Sequence, residues 1–264
     1  MIPAVRRWSW VLVLVVGLVL FEAVRRALVA TGDPNFVPSL LLLGAAVAPA
    51  TFIAFIAGRR LAYDVPALVV VLVAFVGGVV GVVTAGILEY DELRRLGGAA
   101  VLGVGLIEEG SKLVAPAAVL LLTRYRARVD GVLLGVASGA GFAALETMGY
   151  GFVALVESRG DVAAVDQVLL LRGLLSPAAH MAWTGLTAAA LWSAASARFR
   201  PAALLRLLGA FVLAVLLHAA WDGIGGVVAY AVLSVISLTL LTVVVRRLGS
   251  HGHRRGRRGS TVPV

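Results

Sequence analysis

The stretch Ile107-Glu108-Glu109-Gly110-Ser111-Lys112 sets three charges in the middle of an otherwise apolar run from Gly97 to Thr123. A bilayer core about 30 Å thick takes roughly 20 apolar residues per helix, so the run is long enough to cross, with its charges near the midpoint. Each ionisable group there costs on the order of 2.5–3.5 kcal/mol on insertion scales, and three together roughly 7–10 kcal/mol. That cost is avoided when the groups pair, neutralise or face a wet cavity, so they should point inward. On a helix, Glu108 and Glu109 stand four and three residues before Lys112, within reach of its ammonium, while Gly110 and Ser111 leave room beside them. Such a cluster reads as a functional site.

Hydrophobic residues make up 61% of the chain and mean hydropathy is +1.00, against about 45–50% apolar for a soluble domain. The chain reads as an integral membrane protein whose surroundings are lipid. Its net charge of +9 does not point to nucleic acid, because all but one of its 23 basic residues are arginines concentrated in short loops and the tail. With no cysteine, disulfides, thiol catalysis and cysteine metal sites are excluded.

Eight apolar runs meet the length of a span: Trp8 to Val24, Ser39 to Ala57, Pro66 to Leu88, Gly97 to Thr123, Val129 to Val156, Pro177 to Ala197, Ala202 to Trp221 and Gly225 to Val245. The expected fold is an all-α polytopic bundle of about eight transmembrane helices. Residues 1–245 form one domain, and 246–264 a basic, disordered tail. The first run reads as an uncleaved signal anchor, since Leu28-Val29-Ala30 is a poor cleavage site and follows Arg25 and Arg26. With the N-terminus inside, sixteen arginines fall on inner segments and six on outer ones, so both termini are expected in the cytoplasm. Trp8, Trp10, Trp192 and Trp221 stand near helix ends, as interfacial aromatics do. Gly77, Gly81 and Ala85, and again Gly131, Gly135 and Gly139, recur every four residues and predict close helix contacts.

Further polar residues sit inside other spans. Glu146 lies between Phe142 and Tyr150 at four-residue spacing, His180 opens a span after Ser176-Pro177, and His218 precedes Asp222 by four. By rise per residue, Glu109 lies about 18 Å and Glu146 about 15 Å from the outer ends of their helices, but His180 and His218 only about 5 Å. Either the sixth span begins earlier, within Val168 to Leu175, or the site is a funnel open to the outer face; the funnel is the expectation. Carboxylates and imidazoles together suit water activation, by a glutamate base with histidine donors at a developing oxyanion or with a bound metal. A site of two His and one or two Glu would accept zinc, without the compact spacing that marks a zinc protease helix. Ionisable residues in spans also mark ion pathways, so a proton- or ion-coupled transporter is the alternative. No inverted repeat or broken helix is apparent in the sequence to support it.

The ordered set Glu108-Glu109-x-x-Lys112, Phe142-x-x-x-Glu146-x-x-x-Tyr150, Arg172 before Ser176-Pro177-x-x-His180, and His218-x-x-x-Asp222 resembles the PrsW intramembrane proteases. That family is related to the type 2 CAAX prenyl endopeptidases and bacteriocin-processing membrane enzymes. The resemblance covers about residues 97–225 and departs at Thr147, where the family usually has Asn. It implies a multi-pass protease that cuts a membrane-anchored protein near the outer surface, anti-sigma factors being the best-known target class. It further implies Glu108 as general base and Glu109 as its partner in water or metal binding. His180 and His218 become oxyanion donors or metal ligands, Asp222 orients His218, Glu146 completes the polar floor, and Lys112 and Arg172 neutralise and position the acids. The possible metal ligands are Glu109, Glu146, His180 and His218. Members are classed as metalloproteases, whereas the relatives are argued to work through a glutamate-activated water without metal.

Overall fold

The computed structural model describes residues 3–59, 61–96 and 100–258, with side chains for 7–59, 61–90 and 100–249. Among the described residues there are ten α-helices: α1 (Pro3–Thr31), α2 (Val37–Ala57), α3 (Ala67–Leu96), α4 (Ala100–Lys112), α5 (Val114–Leu122), α6 (Arg128–Glu157), α7 (Val162–Leu175), α8 (His180–Ser196), α9 (Pro201–Ile224) and α10 (Val227–Arg258). Among the described residues there is no strand. Six stretches of the described residues are long and apolar enough to cross a membrane: Pro34–Ala57, Ala67–Tyr90, Arg128–Glu157, Val162–Ser196, Pro201–Ile224 and Val227–Gly249. The protein is a multi-pass membrane bundle. Lipid-facing side chains such as Leu72, Phe75 and Leu122 are correspondingly exposed.

Two of the expected spans are not the single helices the sequence suggests. The run from Gly97 to Thr123 breaks at Leu113 into α4 and α5. Pro116 has no N–H and its ring clashes with the carbonyl four residues back, so the Lys112 carbonyl is released from the helix. Ser138 Oγ on α6 donates to that carbonyl at 2.6 Å. The sixth span repeats the device: Pro177 releases the Gly173 carbonyl, which accepts from Ser176 Oγ at 2.9 Å. A 3-10 turn over Ser176–Ala178 then joins α7 to α8. This span starts at Val162, earlier than expected, and the added turns bring His180 to mid-span depth.

α6 is the central helix: 72% of its apolar window is buried, against no more than 33% for any other span. It packs on α3, α8 and α2. Small residues make this possible, because a Cβ on Gly135 would lie 2.5 Å from the Thr184 carbonyl oxygen and one on Gly139 2.5 Å from that of His180. On the other side, Gly77 meets Ser138, Gly81 meets Phe142, and Gly141 meets the Ala74 carbonyl. The two expected small-residue stripes are thus the α6–α8 and α3–α6 seams, closed by van der Waals packing.

Trp192 departs from the interfacial role expected of it. It is fully buried, and its Nε1 donates to the Tyr125 carbonyl at 3.0 Å. α10 carries on past Val245 to Arg258, through much of the segment expected to be a disordered tail; residues 259–264 and the side chains of His251 and His253 lie outside the described residues.

The α3–α6 seam is open to a direct test. Gly141→Ala should lower stability by about 1–3 kcal/mol through overpacking against Ala74. Gly149→Ala, which meets open space, should leave stability unchanged or slightly raised. Thermal unfolding of both variants in one detergent separates them, and equal melting temperatures would contradict the seam.

Candidate active site

Lys112 is the last residue of α4 and fully buried. A helix C-terminus carries partial negative charge, which favours an ammonium there. Its Nζ lies 2.7 Å from Glu109 Oε1, 3.0 Å from Glu108 Oε2 and 2.8 Å from His180 Nδ1, and 4.1 Å from the centroid of the Phe142 ring. Ser111, between the acids and the lysine, bonds back to the Glu108 carbonyl at 2.9 Å.

His218, on α9, shows one nitrogen to each glutamate. Nδ1 is 2.9 Å from Glu109 Oε1, and Nε2 is 3.5 Å from Glu108 Oε2 and 3.2 Å from Asp222 Oδ2. Asp222 belongs to the last turn of α9, not to a loop, and is 41% exposed at its side chain. His180 Nε2 lies 3.1 Å from Glu146 Oε2, and that same oxygen is 2.6 Å from Arg172 Nη2. The Arg172 guanidinium rests 3.9 Å over the exposed Tyr150 ring. A continuous polar chain therefore runs from Arg172 through Glu146, His180, Lys112, Glu109 and His218 to Asp222. Glu108 joins it at Lys112 and His218 and Tyr150 at Arg172, although α4, α6, α7, α8 and α9 supply these side chains separately.

Two features were missed in the sequence. Trp183, fully buried one turn after His180, packs against both imidazoles, with ring centroids 5.6 Å from His180 and 5.1 Å from His218. Its Nε1 donates to Ser237 Oγ on α10 at 2.9 Å, which ties the two histidines to the last span. Glu89, near the end of the third span, is close enough to Glu108, Glu146, His218 and Lys112 to interact with them electrostatically, and its Oε1 is buried without a hydrogen bond. A signal for it existed. Gly77, Gly81, Ala85 and Glu89 form one four-residue series, so Glu89 continues the face that packs on α6.

Among the described residues, Glu108, His180 and His218 each offer a ligand atom within 4.8 Å of the others, all three buried. The compact group thus contains Glu108, where Glu109 and Glu146 were expected; those two are engaged by Lys112 and Arg172. One carboxylate with two imidazoles is the donor set of a three-ligand catalytic zinc site. Five carboxylates (Glu89, Glu108, Glu109, Glu146, Asp222) stand against two cations (Lys112, Arg172), so formal negative charge is in excess. Glu108 Oε2 is buried and has ion contacts but no aligned hydrogen bond. By donor type, charge and this open oxygen, the residues fit a divalent cation.

The family model for PrsW family intramembrane metalloproteases matches residues 65–246. The chain belongs to that family. The match extends beyond the motifs at both ends, taking in α3 with Glu89 and α10 with Ser237. No curated protein and no solved structure matches the chain. Membership in the PrsW family makes this bundle a peptidase of the membrane, with the buried acid and imidazole cluster as its candidate catalytic centre.

The buried ammonium gives a stability prediction. Lys112→Met should cost about 3–5 kcal/mol by leaving two buried carboxylates uncompensated. Adding Glu109→Gln should restore part of that loss, with a coupling of about 0.5–3 kcal/mol in a double-mutant cycle read by denaturant unfolding in detergent. Strict additivity would mean that the ion pair does not hold these groups.

Proposed function

We propose that this PrsW family member hydrolyses a peptide bond of a membrane-anchored protein near the outer membrane surface, with Glu108 as the base that activates water. The observation that carries the reading is the asymmetry of the two acids. Glu109 Oε1 is shared by Lys112 and His218 and holds the cluster together, whereas Glu108 Oε2, 3.0 Å from Lys112, also lies 3.9 Å from His180 Nδ1 and 3.5 Å from His218 Nε2 and so stands between the two imidazoles. A base must act beside the groups that bind the same carbonyl, and of the two glutamates Glu108 is the one with an oxygen in contact range of both His180 and His218.

His180 and His218 stand on either side of that oxygen and serve as donors to the tetrahedral oxyanion, or as metal ligands with Glu108. A divalent ion bound there would supply Lewis acidity to the scissile carbonyl and a more acidic water. Glu109 fixes His218 through Nδ1, Asp222 orients its other nitrogen, and Glu146, itself held by Arg172, orients His180 through Nε2. The arginine bias supports the outer placement. α3, α6 and α9 leave the arginine-rich side and carry Glu89, Glu146 and His218 toward their far ends, so with that side in the cytoplasm, as the positive-inside rule has it, the cleft belongs to the outer half and both termini to the cytoplasm. An anti-sigma factor with a single span is the substrate class that the family suggests.

The two proline-broken spans are also a feature of ion-coupled transporters, and that is the second reading. Reconstituted protein with a single-span reporter separates the two. The parent should cleave, and Glu108→Gln and His180→Ala should each lose about 10²–10⁴ of the rate. Proton flux without cleavage would establish the transporter instead. Metal analysis of the purified parent, with chelator inhibition and restoration by zinc, distinguishes ion-assisted from unassisted water activation.

A further inference from the structure

At the end of the bundle remote from the polar cluster, a cavity of about 540 Å³ is lined by Arg7, Trp8, Trp10, Phe55, Gly58 and Arg59. α2 ends there and α3 begins just beyond, whereas Glu89 borders the polar cluster about 33 Å further along α3. Neither guanidinium has a carboxylate within ion-pair distance among the described residues; aromatic faces hold them instead. Arg59 Cζ is 3.8 Å from the centroid of Phe55, and Arg7 Cζ is 5.9 Å from that of Trp8. Trp10 bridges the two sides, stacked on Trp8 at 6.4 Å and edge-on to Phe55 at 6.0 Å. A guanidinium resting on a ring keeps its planar fork of N–H donors at the edge, the geometry that grips two phosphate oxygens at once.

The cavity does not end at the charges. Trp8, Leu12, Val15 and Val19 lie on one face of α1 and are exposed by 59%, 66%, 52% and 62%. This apolar strip runs about 16 Å from the cavity along the helix, roughly one leaflet of hydrocarbon. Free phosphate would use only the arginines, whereas a phospholipid would use both the arginines and the strip.

We propose that this cavity binds the phosphate headgroup of an anionic phospholipid, with Arg7 and Arg59 as the two clamps, Trp8 and Trp10 at the headgroup level and an acyl chain along Leu12, Val15 and Val19. The site lies on the arginine-rich side and takes no part in peptide hydrolysis, so it stands whether or not the catalytic reading does. Occupancy ties α1, which precedes the matched family region, to α2 through one lipid.

The test is native mass spectrometry of the full chain in detergent, titrated separately with phosphatidylglycerol and phosphatidylcholine, and with inorganic phosphate as competitor. The parent should retain phosphatidylglycerol about tenfold better, a difference of about 1.4 kcal/mol. Arg7→Gln with Arg59→Gln should bring the two lipids to parity without moving the melting temperature measured in phosphatidylcholine. Should that variant not fold, Leu12→Ser with Val19→Ser, which leaves the arginines in place, should weaken retention of both lipids. Equal retention of the two lipids by the parent overturns the proposal. So does displacement of phosphatidylglycerol by inorganic phosphate at equal concentration, which would make the cavity a free-anion site.

Discussion

An ammonium with no access to water has to be surrounded by its own counter-charges, and Lys112 imposes that condition on the whole bundle. Its side chain contacts Glu108 and Glu109 from its own helix, His180 from α8 and the face of Phe142 from α6. Its carbonyl takes a hydrogen bond from Ser138 of α6. A single residue therefore fixes α4 against two neighbours by backbone and side chain together. Leaving any of these charges unmatched in the interior would cost several kcal/mol, comparable to the whole stability of many domains. The histidines and acids are consequently held by electrostatic necessity before any substrate arrives, which is the preorganisation that hydrolysis in a dry site needs.

Close approach is the second constraint, and small residues and proline supply it. Gly135 and Gly139 let the α8 backbone lie against α6, which places His180 above Phe142. The prolines act at the two breaks. Each frees a carbonyl four residues earlier, each freed carbonyl is met by a serine hydroxyl, and each break lies beside a charged or imidazole side chain, Lys112 in one case and His180 in the other. Irregular backbone at this depth is tolerated only where protein surrounds it, so the breaks and the polar cluster support each other.

Much of this was legible because lipid penalises charge so heavily. Glu108, Glu109 and Lys112 announce an inward-facing site by their position in an apolar run, and the glycine stripes announce the helix seams. What periodicity did not reveal was continuity. Val162 to Leu175 contains Asp166, Gln167 and Arg172, so it did not read as the first half of a span, and the depths of His180 and Glu109 disagreed as a result. The break at Leu113 was hidden for the opposite reason, since apolar residues continue without interruption across it. Glu89 escaped notice by falling one residue beyond its apolar run, and Trp192 resembled an interfacial aromatic because burial by neighbouring helices leaves no trace in one helix's own sequence.

The hydrogen bonds also constrain which nitrogen of each histidine is free. An ammonium only donates, so His180 Nδ1, 2.8 Å from Lys112, accepts, and Nε2 carries the proton that points at Glu146. His218 is the reverse case: with Nδ1–H given to Glu109, its Nε2 lone pair is aimed at Asp222 and Glu108, two further acceptors. Lone pairs do not face carboxylates at 3.2 Å and 3.5 Å without a positive charge between them, so that nitrogen is the natural seat of a second proton or of a cation. The two readings of catalysis then differ in the fate of Lys112. As an oxyanion device the cluster uses the Nε2 proton of a charged His218, with Lys112 adding to the positive field, and His180 joins it only by turning its N–H away from Glu146. As a metal site it needs the ammonium to withdraw from His180 Nδ1, a rotation for which Glu109 already provides the remaining partner.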